Sequence, residues 1–216
     1  MKLESQGILI SLIPFNERDV VARIFTRDFG VLVGVLRGAV VAKKNRPLVG
    51  QFGTVAWGAR LDSQLGVFHW ESEKNIVATL MCCADLLAMM NSAFALLNAL
   101  LPERVEYRTL YNKTLSLLAD LAEKKSVAYL CWEITLLREL GYALDLSCCS
   151  GCGATDNLNY LSPRTARAVC EKCADPYKNK LYVLPVNLNV TLRFLENICM
   201  QQGVKMPIMR TLIKNI

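Results

Sequence analysis

Over the first 75 residues the apolar positions fall in short, dense bursts separated by breakers. ILISLIPF (8–15), VVARIFT (20–26), VLVGVLRG (31–38), GTVAWGARL (53–61) and GVFHWE (66–71) are rich in Val, Ile, Leu and aromatic residues. NERD, RDFG, KKNRP and DSQ interrupt them. Bursts of this length and composition predict five strands. Asp28 and Gly30 supply turn chemistry between the second and third runs, which reads as a hairpin. Five strands with no helical period between them predict a small barrel or sandwich. The OB-type barrel is the commonest such solution, and the pattern alone leaves an SH3-like barrel open.

The period changes at Ile76. Tyr107, Leu110, Tyr111, Thr114, Leu117, Leu118 and Leu121 recur at i, i+3, i+4, i+7, the spacing of one helix face. Ser126 is placed to cap a following helix with Val127, Leu130, Cys131, Ile134 and Leu137 as its apolar stripe, and Gly141 to stop it. NVTLRFLENICMQQG predicts a helix capped by Asn189 and ended by Gly203, and a last helix is expected from Pro207 onward. Residues 142–186 lack regular periodicity.

The window from Ile76 to Leu101 is the most apolar stretch, 26 residues with one charge, and its length would span a bilayer. Asp85, Asn91 and Asn98 interrupt it, and no Lys/Arg cluster flanks it. It reads as a buried helix; a membrane association through 76–101 is the alternative. The N-terminus shows no charged region leading into a long apolar run, so the expected location is cytoplasmic.

Of the chain's 216 residues, 53% are hydrophobic and 20% charged, which excludes a disordered chain. The formal net charge of +6 favours an acidic partner such as nucleic acid.

Five of the nine cysteines crowd into SCCSGCG and VCEKC. In a reducing compartment such a cluster points to metal rather than to disulfides. Cys149-x2-Cys152, seventeen residues, then Cys170-x2-Cys173 has the spacing of a tetrathiolate site. Each two-residue gap can turn both sulfurs toward one point about 2.3 Å away, with zinc the leading ion and iron its rival. Cys148 could replace Cys149 in a longer knuckle; the matching gap of the second knuckle favours Cys149. Four thiolates close the coordination sphere, so the zinc is expected to be structural. Cys82, Cys83, Cys131 and Cys199 lie in apolar stretches and read as core residues.

Arg37, Lys43, Lys44 and Arg46 place four positive charges between two predicted strands with no acid among them, and Arg60 follows on the next strand. On an OB-type barrel, loops and one sheet face hold single strands, cations following phosphates and aromatics stacking on bases. Phe29, Phe52, Trp57 and Phe68 are the nearby aromatics, with Phe52 and Phe68 read as core. The single histidine, His69, removes most Ser/His and Cys/His schemes, and neither a P-loop nor a GxGxxG motif is present. The expectation is a protein without catalysis. A zinc-dependent enzyme is the alternative, and it would need an open metal position.

The resulting fold class is α+β: an N-terminal OB-fold β-barrel over 1–75, then an α-helical domain over 76–216 with an embedded four-cysteine zinc-binding segment at about 146–176. Several ordered motifs carry a resemblance. GILISLIPFNERDVVARIFTRDFG, RGAVVAKKNR, LLRELGYALDL and YLSPRTARAVCEKC occur in the order and places of matching segments in the RecO family of bacterial recombination mediators, which this chain resembles. The resemblance implies binding of single- and double-stranded DNA, strand annealing, and partnership with RecR. It further implies contact with the tail of single-strand-binding protein, a functional link to RecA, and a nucleoid location. It brings no catalytic residues, and its metal ligands map onto Cys149, Cys152, Cys170 and Cys173. Arg138 is the candidate cation for the acidic tail.

Overall fold

The computed structural model describes residues 1–42, 46–59 and 65–213. Five strands, β1 (Lys2–Pro14), β2 (Val20–Thr26), β3 (Gly30–Leu36), β4 (Gln51–Gly58) and β5 (Gly66–Asn75), close into a barrel in the order β1-β2-β3-β5-β4. The long β1 pairs with β4 through its first half and with β2 through its second, bending at an irregularity between Leu9 and Ser11. The parallel β3–β5 contact closes the ring over Gly34↔Gly66, Val35↔Val67 and Leu36↔Phe68. This is OB-fold topology. Leu9, Ala22, Ile24, Leu32, Val55, Trp57 and Phe68 fill the interior.

The run ILI in β1 departs from the alternation of a strand with one wet face, and the structure explains it. Leu9 points into the barrel, while Ile8 and Ile10 join Phe25 and Val31 in a core shared with the helices. A strand covered on both faces becomes uniformly apolar. Phe25 meets Tyr111 edge-on at 5.6 Å, and Asn98 Nδ2 donates to the Ile10 carbonyl at 3.3 Å.

The helical body contains α1 (Val77–Leu80), α2 (Ala84–Leu100), α3 (Arg108–Ala122), α4 (Val127–Glu139), α5 (Glu171–Ala174), α6 (Leu188–Gln202) and α7 (Ile208–Thr211). The apolar window at 76–101 is therefore two helices, broken where Cys83 is extended. Among the described residues no helix is long and apolar enough to cross a membrane. Between α2 and α3 the chain runs along β3 like an added strand: Glu103 bridges Val31, and Arg104 N donates to the Val31 carbonyl at 3.0 Å. Gly30, at φ 63°, permits this approach, since a Cβ there would lie 1.7 Å from the Val105 carbonyl oxygen. Arg23–Glu103 at 3.6 Å, Arg108–Asp28 at 3.1 Å and the Arg104 guanidinium 4.6 Å above the Trp57 ring complete the seam.

Four local expectations are corrected. The α6 cap is Asn187 rather than Asn189, because the extended Asn187 backbone lets its Oδ1 accept from Asn189 N and Val190 N at 3.0 and 3.2 Å. Ser126 is itself helical and makes no side-chain cap. In α4 the buried face is Tyr129, Trp132, Glu133, Leu136 and Leu137, so Val127 is 71% exposed and Cys131 is exposed too. Cys82 is likewise exposed, Cys83 is half-buried, and Cys199 is buried as expected. Gly141 and Gly203 end their helices with φ of 91° and 67°.

Candidate metal centre and nucleic-acid interface

The segment after α4 is held by a small sheet of β6 (Tyr160–Leu161), β7 (Ala168–Val169) and β8 (Tyr182–Val183) in the order β7-β6-β8. Its first cysteine knuckle turns tightly: Cys149 N donates to the Ala154 carbonyl at 2.7 Å and Gly153 N to the Cys149 carbonyl at 2.9 Å. The second knuckle follows directly on β7 and enters α5. The Sγ atoms of Cys149, Cys152, Cys170 and Cys173 all lie within 4.8 Å of one another, with Cys152 and Cys170 at 3.6 Å. A tetrahedron with metal–sulfur bonds near 2.3 Å has edges of roughly 3.8 Å, so the four sulfurs fit one tetrahedral ion. Cys148 stands outside this group, where its sulfur accepts from Arg167 Nη2 at 3.8 Å.

The electrostatics call for a cation. Backbone N–H groups of Cys170 and Cys152, with Gly151 also donating, pull the Cys149 thiol down to about 6. Cys173, hydrogen-bonded to the sulfurs of Cys152, Cys170 and Cys149, is pushed up to about 12. Four sulfurs this close cannot all ionise unless a positive charge sits among them. Cys149 and Cys170 are buried, Cys173 is half-buried and Cys152 exposed.

At the barrel, Arg37 follows β3 directly and is exposed, as is Arg46. Lys43, Lys44 and Arg60 lie outside the described residues. The root of the basic loop is tied to the β1–β2 turn: Gly38 N donates to Asp19 Oδ1 at 2.8 Å, and Val40 N to the Arg18 carbonyl at 3.0 Å. Hydrogen bonds from Asn16 and Gly38, reinforced by Arg37 and Arg18, hold the Asp19 carboxyl below the ordinary range. A groove of about 460 Å³ lined by Leu12, Pro14, Val20, Arg46 and Leu48 lies beside this junction.

The aromatics near the loop do not offer stacking platforms. Trp57 and Phe68 are inside the barrel, Phe52 packs on the helical core, and Phe29 is half-buried against the barrel interior. The exposed ring is instead Phe15, 59% accessible at the end of β1, which sequence reasoning passed over because it sits inside an apolar run. His69 is on the surface, 3.3 Å from Glu71. Arg138 is exposed in the last turn of α4.

Fold and site together define a class: an OB barrel fused to a helical body that carries a four-cysteine knuckle able to hold one metal ion. Comparison with known proteins agrees in detail. The family models for the N-terminal and C-terminal parts of recombination protein O match residues 1–69 and 84–213. The DNA repair protein RecO of Jannaschia sp. (strain CCS1) is 38% identical over 201 residues, 92% of this chain and 82% of that protein. That of Ruegeria sp. (strain TM1040) is 36% identical over 189 residues, 86% and 78% of the two chains. The chain belongs to the RecO family of DNA repair proteins.

Proposed function

We propose that the chain is a DNA-binding recombination mediator of the RecF-pathway type. Residues 1–75 act as the nucleic-acid-binding domain, holding single- and double-stranded DNA through Arg37, Lys43, Lys44, Arg46 and Arg60. Residues 76–216 act as the body that meets protein partners, with Arg138 receiving the acidic tail of single-strand-binding protein. In this reading the protein anneals complementary strands, works with RecR, and helps load RecA onto coated DNA at the nucleoid, without catalysing a reaction. The observation that carries the DNA reading is the closed OB barrel whose basic loop is rooted against the β1–β2 turn through Asp19.

The ion at Cys149, Cys152, Cys170 and Cys173 is zinc and is structural. Four thiolates leave no position for water or substrate, which sets a zinc-dependent enzyme aside. When bound, the ion supplies cross-linking of the two knuckles and nothing to chemistry.

The test is single-strand binding across a salt series for wild type and for Lys43→Ala, Lys44→Ala, Arg46→Ala combined. Phosphate contacts give a log–log slope of about −0.7 per contact on single strands, so three lost contacts flatten the slope by about 2. An unchanged affinity and slope would remove the loop from the mechanism.

A further inference from the structure

Two residues of the four-cysteine cluster border an open groove. It measures about 580 Å³ and is lined by Cys152 and Cys170 together with Ala154, Asp156, Glu171 and Lys172, while Cys149 and Cys173 do not line it. Cys152 is the exposed member of the cluster. Its sulfur lies 3.6 Å from that of Cys170, which is van der Waals contact. Cys149 is shielded in two ways. It is 2% exposed, and its sulfur accepts from the backbone N–H groups of Gly151 and Cys170, each at 3.3 Å. A small reagent entering from solvent therefore meets Cys152 first, with the Cys170 sulfur in contact behind it.

The surroundings select the reagent. Four thiolates around one divalent ion leave two negative charges. Asp156 and Glu171 add two carboxylates to the groove wall against the single ammonium of Lys172. The Lys178 ammonium nearby is held by Glu171 and Asp175 at 2.6 and 2.8 Å. Such a mouth repels anionic oxidants and admits a neutral one such as hydrogen peroxide.

We propose that Cys152 and Cys170 make the metal clamp a reversible peroxide switch. The inference rests on the zinc reading above and goes beyond it, to regulation of the same site. The Cys152 thiolate attacks one peroxide oxygen; the O–O bond breaks, a sulfenic acid forms and hydroxide leaves. The Cys170 thiolate then attacks the Cys152 sulfur; the S–S bond forms, the S–O bond breaks and a second hydroxide leaves. Two sulfurs each lose one electron and one peroxide gains two. Cys149 and Cys173 are left as half of a tetrahedral set, too few to hold the ion. A dithiol reductant restores both thiolates and with them the site. The change stays local. Cys149, Val169, Cys170 and Ala174 form a small core of their own, whereas Leu161 and Ala166 at the base of the segment belong to the core of the helical body. Oxidation thus loosens the knuckles and leaves barrel and helices folded.

The experiment treats the zinc-loaded full chain with hydrogen peroxide, follows zinc release with a chromogenic indicator, and maps disulfides on unreduced peptides. The expected result is about one ion released per chain, a Cys152–Cys170 disulfide, and recovery of bound metal on adding dithiothreitol and zinc. Cys152→His keeps a four-ligand set of a kind that holds zinc but removes the attacking thiol, so release should slow by about tenfold or more. Cys173→His changes a ligand away from the groove and should release within about twofold of the wild-type rate. If a histidine variant does not retain zinc, the wild-type disulfide map decides. A wild type that keeps its zinc under peroxide, a disulfide through Cys148 or Cys149 in place of Cys152–Cys170, or equal slowing in both variants overturns the switch and leaves the structural zinc standing. A wild type that carries no zinc overturns the metal reading and the switch with it.

Discussion

Replacing Arg210 by Met should be among the most damaging single changes in the helical body. Arg210 and Glu133 are each fully buried. The guanidinium donates to both carboxylate oxygens, with Nη2 to Oε2 at 3.0 Å, and Nη2 also donates to the Leu188 carbonyl at 2.6 Å. Nη1 reaches the Ile213 carbonyl at 3.3 Å, and the Thr191 hydroxyl donates to Glu133 Oε2 at 2.6 Å. One side chain thereby ties α4, α6 and α7 together. Met fills similar volume but leaves a buried carboxylate without its counter-charge, a loss of about 3–5 kcal/mol for such pairs. The orphaned carbonyls of Leu188 and Ile213 would add about 1–3 kcal/mol each if they stayed dry. Proton uptake by Glu133, whose carboxyl burial already pushes upward, relieves part of this. A net loss of about 4 kcal/mol at pH 7 follows, out of a total stability of about 5–15 kcal/mol.

The pH dependence has a definite sign. A carboxyl whose folded pKa is raised holds more protons folded than unfolded, so stability falls as pH rises from the unfolded toward the folded value. The deficit of Arg210→Met should therefore be smaller at pH 5 than at pH 8. Urea denaturation reads it as a shifted midpoint with an unchanged m value. Glu133→Leu combined with Arg210→Met should recover most of the loss, since a buried pair exchanged for apolar groups is close to neutral. A single variant within about 1 kcal/mol of wild type, or a double variant as unstable as the sum of its parts, would refute the reasoning.

The other predictions address the clamp, the seam and the helix faces. Cys170→Ser should take bound zinc from about one ion per chain to well below that in metal analysis, whereas Cys148→Ser should leave it unchanged. Gly30→Ala should destabilise by about 2 kcal/mol or more in thermal melting, from the left-handed backbone and the collision with Val105 together. Gly203→Ala, where only the backbone term acts because nothing lies near the added Cβ, should cost about 1–2 kcal/mol in the same melt. Trp132→Ala should cost about 3–5 kcal/mol, while Cys131→Ser on the exposed face of the same helix should stay within about 0.5 kcal/mol in urea.

Local chemistry made much of this protein legible in advance. The strand bursts, the helical period of α3, the glycine stops at 141 and 203, and the spacing of the two cysteine knuckles each depend on residues a few positions apart. Such signals survive without knowledge of the fold. The α4 face was misjudged for the opposite reason. Glu133 looks like a solvent position until its partner, 77 residues away, is brought beside it, and burying that pair rotates Val127 and Cys131 outward. The direction of Trp57 into the barrel likewise depends on closure through the parallel β3–β5 contact, whereas Phe68 fills the core as its run predicts. Composition and spacing thus determined the barrel strands, the helices and the sulfur cluster. Which charges are buried, which aromatics are spent on the core and which valines stand outside the barrel were decided by tertiary structure, because each is a pairing between distant segments that no local pattern encodes.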